Sequence, residues 1–150
     1  MFYYLSGILA HREAGIAVID CGGVGYKLTI SQNTLSALDR AAPRSEKVKL
    51  YTYMAVREDE VELFGFYTEE ELSAFKLLIT VSGVGPKAAM AILSALSVKN
   101  LTFAILSGDV RSISSANGVG AKTAARVVLE LKDKIAKLYA VSATDNSDGG

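Results

Sequence analysis

A chain of 150 residues, half of them apolar, is long enough to bury one core or two small ones, which excludes a disordered protein. Its sixteen basic residues cancel its sixteen acidic ones. Divided after Phe66, the first part holds seven basic and eight acidic residues and the second nine and eight, so neither gathers nucleic acid by a broad basic field.

The first 66 residues read as five strands, over 2–10, 15–21, 25–30, 47–56 and 61–66, rich in Val, Ile, Leu and Tyr in frequent alternation. Gly22-Gly23-Val24-Gly25 joins the second and third as a tight hairpin. No helix follows it, which argues against a phosphate loop there. A short helix over 33–38 separates the third strand from the fourth. Five strands with that insertion predict a small barrel of the oligonucleotide/oligosaccharide-binding (OB) kind. Arg57-Glu58-Asp59-Glu60 falls between two strand patterns and so at a hairpin tip, where a solvated turn is the ordinary reading. The alternative is that Glu58 and Asp59 are aimed at DNA: a carboxylate 4 Å from a phosphate is repelled by about 1 kcal/mol in water and about 4 kcal/mol at an effective dielectric of 20. Such repulsion excludes duplex rather than binding it.

The pattern changes at Thr68-Glu69-Glu70-Glu71, which has the form of a capping box with an acidic first turn. Leu72, Phe75, Leu78 and Ile79 recur at helical spacing until Gly83 stops the run. A second helix opens at Pro86, a favoured first position, and a third covers 98–106. After the segment 109–115 comes a longer amphipathic helix with Ala124, Val127, Val128, Leu131, Ile135 and Leu138 on one face. Beyond Val141 the residues turn small and polar. The expected organisation is therefore a barrel over 1–66, a helical domain over 67–140 and a flexible tail over 141–150, an α+β protein by segregated domains.

Two segments of the helical part match as G-V-G-x-K-x-A: Gly83-Val84-Gly85-Pro86-Lys87-Ala88-Ala89 and, 35 residues on, Gly118-Val119-Gly120-Ala121-Lys122-Thr123-Ala124. Each lies between two helices. Glycine permits φ > 0 and close backbone approach, and the helix start that follows leaves N–H groups unpaired at its positive end. That is a phosphate site, to which Lys87 or Lys122 adds a point charge. Glycine needed only for close helix packing would explain the turns but not both lysines. Together the two units resemble a tandem helix-hairpin-helix module, a type that contacts DNA phosphates without reading sequence.

Other chemistries find little support. No metal-ligand cluster, nucleophile–base pair or nucleotide-binding P-loop is visible, the lone His11 has no evident partner, and neither a cofactor nor catalysis is expected. Cys21, in the apolar run Ile16-Ala17-Val18-Ile19-Asp20-Cys21, reads as a core residue and cannot form a disulfide or cysteine metal site within one chain. No apolar run approaches the roughly 20 residues that cross a bilayer, and the first residues lack the basic start of a signal peptide, so no membrane partner and a cytoplasmic location are expected. Two rivals remain. A helix-hairpin-helix repair enzyme, a glycosylase or structure-specific nuclease, would need a pocket around Asp109 or Asp133. A single-strand-binding barrel would stack bases on Tyr3, Tyr4, Tyr51 or Tyr53, although strand tyrosines more often pack across strands.

Taken in order, Gly22-Gly23-Val24-Gly25-Tyr26, Val56-Arg57-Glu58-Asp59, Leu63-Phe64-Gly65-Phe66, both glycine loops and Leu129-Glu130-Leu131-Lys132-Asp133-Lys134 resemble the RuvA family of bacterial Holliday-junction recognition subunits, from the first residues to about Tyr139. The resemblance implies a fourfold tetramer, alone or as paired tetramers, that binds an open, square four-way DNA junction. Glu58 and Asp59 would form the acidic pin at the crossover. Gly83, Val84, Gly85 and Lys87 would hold phosphates of an arm through the first hairpin. Gly118, Val119, Gly120, Lys122 and Thr123 would do so through the second, with Arg126 as a further phosphate contact. It also implies the ATPase motor RuvB and the resolvase RuvC as partners. The sequence departs from the family in stopping within what would be the linker to the motor-binding domain, which puts the RuvB contact in doubt, and in carrying Ala121 where a basic residue would add a contact.

Overall fold

The computed structural model describes residues 2–41 and 47–148, with side chains as far as Leu138. Five strands close a barrel in the order β1 (Tyr4–Glu13), β2 (Ile16–Cys21), β3 (Val24–Ile30), β5 (Val61–Phe66), β4 (Lys47–Val56), and α1 (Gln32–Ala41) lies between β3 and β4 in sequence. All neighbours are antiparallel except β3 and β5, which pair in parallel only at Thr29–Phe64 and Ile30–Gly65. This is the OB-type barrel expected. β1 runs past its expected end at Ala10 to Glu13 because it serves two neighbours: Tyr4–Ile8 pair with β4, Ile8–Glu13 with β2. The register shifts between Leu9 and His11, a bulge that lets one long strand bend around the barrel. Closure also brings backbones close: a Cβ on Gly7 would stand 2.2 Å from the Asp20 carbonyl oxygen.

The alternation seen in the sequence fills the barrel with Leu5, Ala17, Ile19, Leu28, Ile30, Val48 and Leu50, while Cys21 is half-buried against this core. Aromatic rings also pack on the β4–β5 face that lies opposite the barrel core. Phe75 of α2 (Glu69–Leu78) lies 5.0 Å from Phe66, 5.3 Å from Phe64 and 5.2 Å from Tyr53, so Tyr53 packs against α2 and leaves the set of candidate stacking tyrosines. Chain contacts divide the protein into compact units of residues 1–75 and 76–150, so the first two turns of α2 belong with the barrel.

Those turns are tied to α1 by a buried polar cluster. Ser31 caps α1 by accepting from the Thr34 N–H at 3.1 Å, and its own hydroxyl donates to Glu71 Oε1. Thr34 Oγ1 lies 3.2 Å from Glu71 Oε2 and accepts from the Tyr67 N–H at 3.1 Å. Only half of the expected capping box forms: Thr68 Oγ1 accepts from the Glu71 N–H at 3.1 Å, but the carboxylate turns to Ser31 and Thr34. Burial raises the Glu71 pKa above the usual glutamate value, and the two hydroxyls oppose the shift.

The second unit continues with α3 (Pro86–Ala95), α4 (Val98–Ser107), α5 (Val110–Ser114) and α6 (Ala121–Asp148). α6 passes beyond Val141 into the stretch read from sequence as a flexible tail; no glycine or proline interrupts it before Gly149, and residues 149–150 lie outside the described residues. No helix among the described residues is long and apolar enough to cross a membrane.

Candidate nucleic-acid interface

The two glycine loops are copies at the level of individual bonds. In the first, Val81 N–H donates to the Leu78 carbonyl at 3.1 Å, Val84 N–H to Val81 at 3.0 Å and Ala89 N–H to Gly85 at 3.0 Å. In the second, Ala116 N–H donates to Ile113 at 3.2 Å, Val119 N–H to Ala116 at 3.1 Å and Ala124 N–H to Gly120 at 3.0 Å. Every residue of the second set stands 35 positions after its counterpart. The leading glycines repeat as well, Gly83 at φ +87° and Gly118 at φ +77°, a left-handed conformation that costs other residues roughly 1–2 kcal/mol. So do the buried positions: Leu78 and Ile113, Val81 and Ala116, Val84 and Val119, Ala89 and Ala124, Ile92 and Val127.

This inward bonding separates the loop residues by role. Val84 and Val119 bury their side chains and turn their N–H groups to carbonyls of their own loops, so neither has an N–H left to offer a ligand. Sequence reasoning placed both among the phosphate contacts; here they anchor the loops. The open donors are the amides that a helix start leaves without an intrahelical acceptor: Gly85, Lys87 and Ala88 in the first loop, Gly120, Ala121, Lys122 and Thr123 in the second. No side chain caps the first turn of α3. Pro86 has no N–H where Ala121 has one, so the second loop presents one more donor. Lys87 and Lys122 are exposed, and among the described residues neither forms an ion pair.

The two loops also meet. Ser82 and Gly83 of the first, with Lys122, Thr123 and Arg126 of α6, line one cleft of about 330 Å³. Arg126 Nη1 donates toward both the carbonyl oxygen and Oγ of Ser82, each at 3.4 Å. One and two turns further along α6, Glu130 Oε1 accepts from the Ser82 N–H at 3.5 Å and Lys134 Nζ lies 3.4 Å from Thr80 Oγ1. Ser82 went unnoticed in the sequence. A signal was available, since the residue before the leading glycine is polar in both copies, Ser82 and Asn117.

The acidic hairpin belongs to the barrel unit. Arg57 N–H donates to the Glu60 carbonyl at 2.8 Å and closes a turn with Glu58 and Asp59 exposed at its tip. Asp109, one of the two residues weighed for a catalytic pocket, has another engagement. Asp109 caps α5, accepting from the Ser112 N–H at 3.1 Å and its hydroxyl at 2.6 Å, and these bonds hold its pKa below the usual aspartate value. His11 lies on the surface, 3.4 Å from Glu13, and Asp133 is exposed on α6. Among the described residues no three His, Cys, Asp or Glu side chains group as metal ligands.

An OB-type barrel joined to a duplicated helix-hairpin-helix unit is thus the class of protein that fold and site define. Residues 1–65 match the RuvA N terminal domain and residues 75–133 the SAM-like helix-hairpin-helix tandem. The chain is 43% identical over 150 residues to the Holliday junction branch migration complex subunit RuvA of Acetivibrio thermocellus, covering all of this chain and 73% of that protein. It is 48% identical over 143 residues to the Chlorobaculum parvum protein of the same name, 95% and 69% of the two chains. The corresponding Thermoanaerobacter protein is 42% identical over 146 residues, 97% and 76%. The chain belongs to the RuvA family.

Proposed function

We propose that this chain binds four-way (Holliday) DNA junctions by their shape, without reading sequence, and holds them open and square for branch migration. The observation that carries the reading is the bond-for-bond repeat of the glycine loops, which presents two sets of helix-start amides with Lys87 and Lys122 beside them. Peptide N–H groups and lysines recognise phosphate and carry no base information, so the selectivity must come from the junction's geometry. Gly83, Gly85 and Lys87 hold phosphates at one hairpin, Gly118, Gly120, Lys122 and Thr123 at the other, and Arg126 adds a contact at the cleft between the loops. Val84 and Val119 act indirectly, by fixing the loops.

The working form is a homotetramer, alone or paired, in which four copies of Glu58 and Asp59 meet at the junction centre. Their mutual proximity to phosphate disfavours duplex there and favours separated strands. The chain does no bond chemistry in this reading: ATP hydrolysis is the task of RuvB, and strand cleavage that of RuvC. A salt-controlled competition between a synthetic four-way junction and a linear duplex of equal length, with assembly size followed by light scattering, tests the proposal. Junction preference by a tetramer supports it; equal affinity for both DNAs by a monomer overturns it.

A further inference from the structure

We propose that the barrel carries a second nucleic-acid site, for an unpaired strand, on the face formed by α1 and β4. A trough of about 800 Å³ runs there, and its lining includes Arg40, Lys47, Lys49, Tyr51 and Tyr67. Among the described residues that line it, three are cations and none is a carboxylate. Arg40 and Lys49 bring exposed positive charge to this face, which suits a polyanion.

Aromatic rings stand beside these cations. Tyr4 of β1 and Tyr51 of β4 are a cross-strand pair with ring centroids 6.4 Å apart, and Tyr3 lies 6.2 Å from the first and 5.8 Å from the second. Their edge-on packing leaves much ring surface in water: Tyr3 is 59% exposed and Tyr4 48%. Lys49 Nζ lies 4.7 Å from the Tyr4 ring centre and 5.2 Å from that of Tyr51, so the ammonium is held at the rings by cation–π attraction. Tyr3 is fixed from the other side, its phenol donating to Glu69 at 2.6 Å, which places one carboxylate at the margin of the patch.

Cations interleaved with exposed rings are what single-strand binders use: phosphates follow the charges and bases stack on the rings. A duplex presents the same phosphates but keeps its base faces stacked inside, so the rings select an unpaired strand. The site shares no residue with the glycine loops or the acidic hairpin. It supplies a place for a strand that has left its duplex, which junction binding by itself does not require.

Fluorescence anisotropy of a labelled oligothymidylate of about a dozen nucleotides, within the span one OB fold covers, tests the proposal on the whole chain. Arg40→Ala with Lys49→Ala, both exposed positions, is compared with Lys87→Ala with Lys122→Ala, and Tyr4→Ala provides a variant that keeps every charge. The expected results are about tenfold or greater loss in the Arg40/Lys49 variant, a loss of similar size in Tyr4→Ala, and a smaller loss in the Lys87/Lys122 variant, whose loops hold phosphates of any DNA strand. Absence of binding by the unaltered chain overturns the proposal, as does loss only in the Lys87/Lys122 variant. If the Arg40/Lys49 variant keeps its affinity but changes assembly size in light scattering, the face belongs to a second copy of the chain and the proposal is again overturned.

Discussion

Arg126 Nη1 lies 3.4 Å from both the carbonyl oxygen and Oγ of Ser82, so a guanidinium one turn into the second hairpin's helix braces the loop of the first. A guanidinium has five N–H donors, and Ser82 engages one nitrogen, which leaves donors for a phosphate in the cleft. Arg126→Ala is expected to weaken junction binding and to lower the slope of log K against log salt by about 0.9 per subunit, the value for one phosphate contact. Binding titrations at four or five salt concentrations measure it. Weakened binding with an unchanged slope would mean that Arg126 only braces the loop.

Lys87 and Lys122 occupy equivalent positions of the two loops, each exposed and without an ion pair among the described residues. Replacing both with alanine removes two phosphate contacts per subunit, so the salt slope should fall by about 1.8 per subunit while junction and duplex lose affinity alike. Thermal unfolding should hardly change, because exposed positions away from special contacts contribute little, within about 0.5 kcal/mol. A preserved salt slope would count against the hairpin assignment.

Glu58 and Asp59 sit at the tip of a turn closed by backbone atoms, so their side chains are free to be exchanged without disturbing the hairpin. Glu58→Gln with Asp59→Asn should leave junction affinity near its original value and raise affinity for linear duplex, by about the 1–4 kcal/mol that repulsion from nearby phosphates supplies. Competition between the two DNAs reads this directly. Unaltered selectivity would remove the acidic pin from the account.

Much of this was legible because it is local. Alternating Val, Ile, Leu and Tyr marks the strands, and G-V-G-x-K marks both loops, since turn chemistry and helix starts depend on neighbours in sequence. What escaped depends on residues far apart. Tyr51 and Tyr53 look equivalent in the sequence, yet Tyr53 packs on Phe75 and Tyr51 meets Tyr4 at the surface. Val84 looks like part of a ligand loop until its N–H is seen to serve Val81. Glu71 has the position of a capping-box partner, but a serine 40 residues earlier takes its carboxylate. No pattern within one element encodes these choices.

Val84 and Val119 are buried to 5% and 6% exposure beneath their loops, so truncation to alanine removes packing that holds the amides in place. Each single change should cost about 1–3 kcal/mol of stability. Junction affinity should fall in parallel for both, with the salt slope unchanged, because no charge is lost. Denaturant unfolding and salt titration of the same samples separate this from a direct phosphate contact, for which affinity would drop without a change in stability.

The Glu71 cluster sets the last expectation, for pH. Burial raises this carboxyl above its ordinary value of 4.5, so the folded state binds the proton more readily than the unfolded chain. Its contribution to stability is therefore fully present below about 4.5 and is lost as pH rises through the raised folded value. That is opposite in sign to a salt-bridged carboxylate. Glu71→Gln keeps an acceptor for Ser31 and Thr34 but cannot titrate, so the stability difference between the unaltered chain and the variant should shift in favour of the unaltered chain as pH is lowered from 7 towards 4.5. Paired unfolding curves across that range measure it, with other titrating groups common to both proteins. A difference independent of pH would show that Ser31 and Thr34 stabilise the carboxylate as fully as water does.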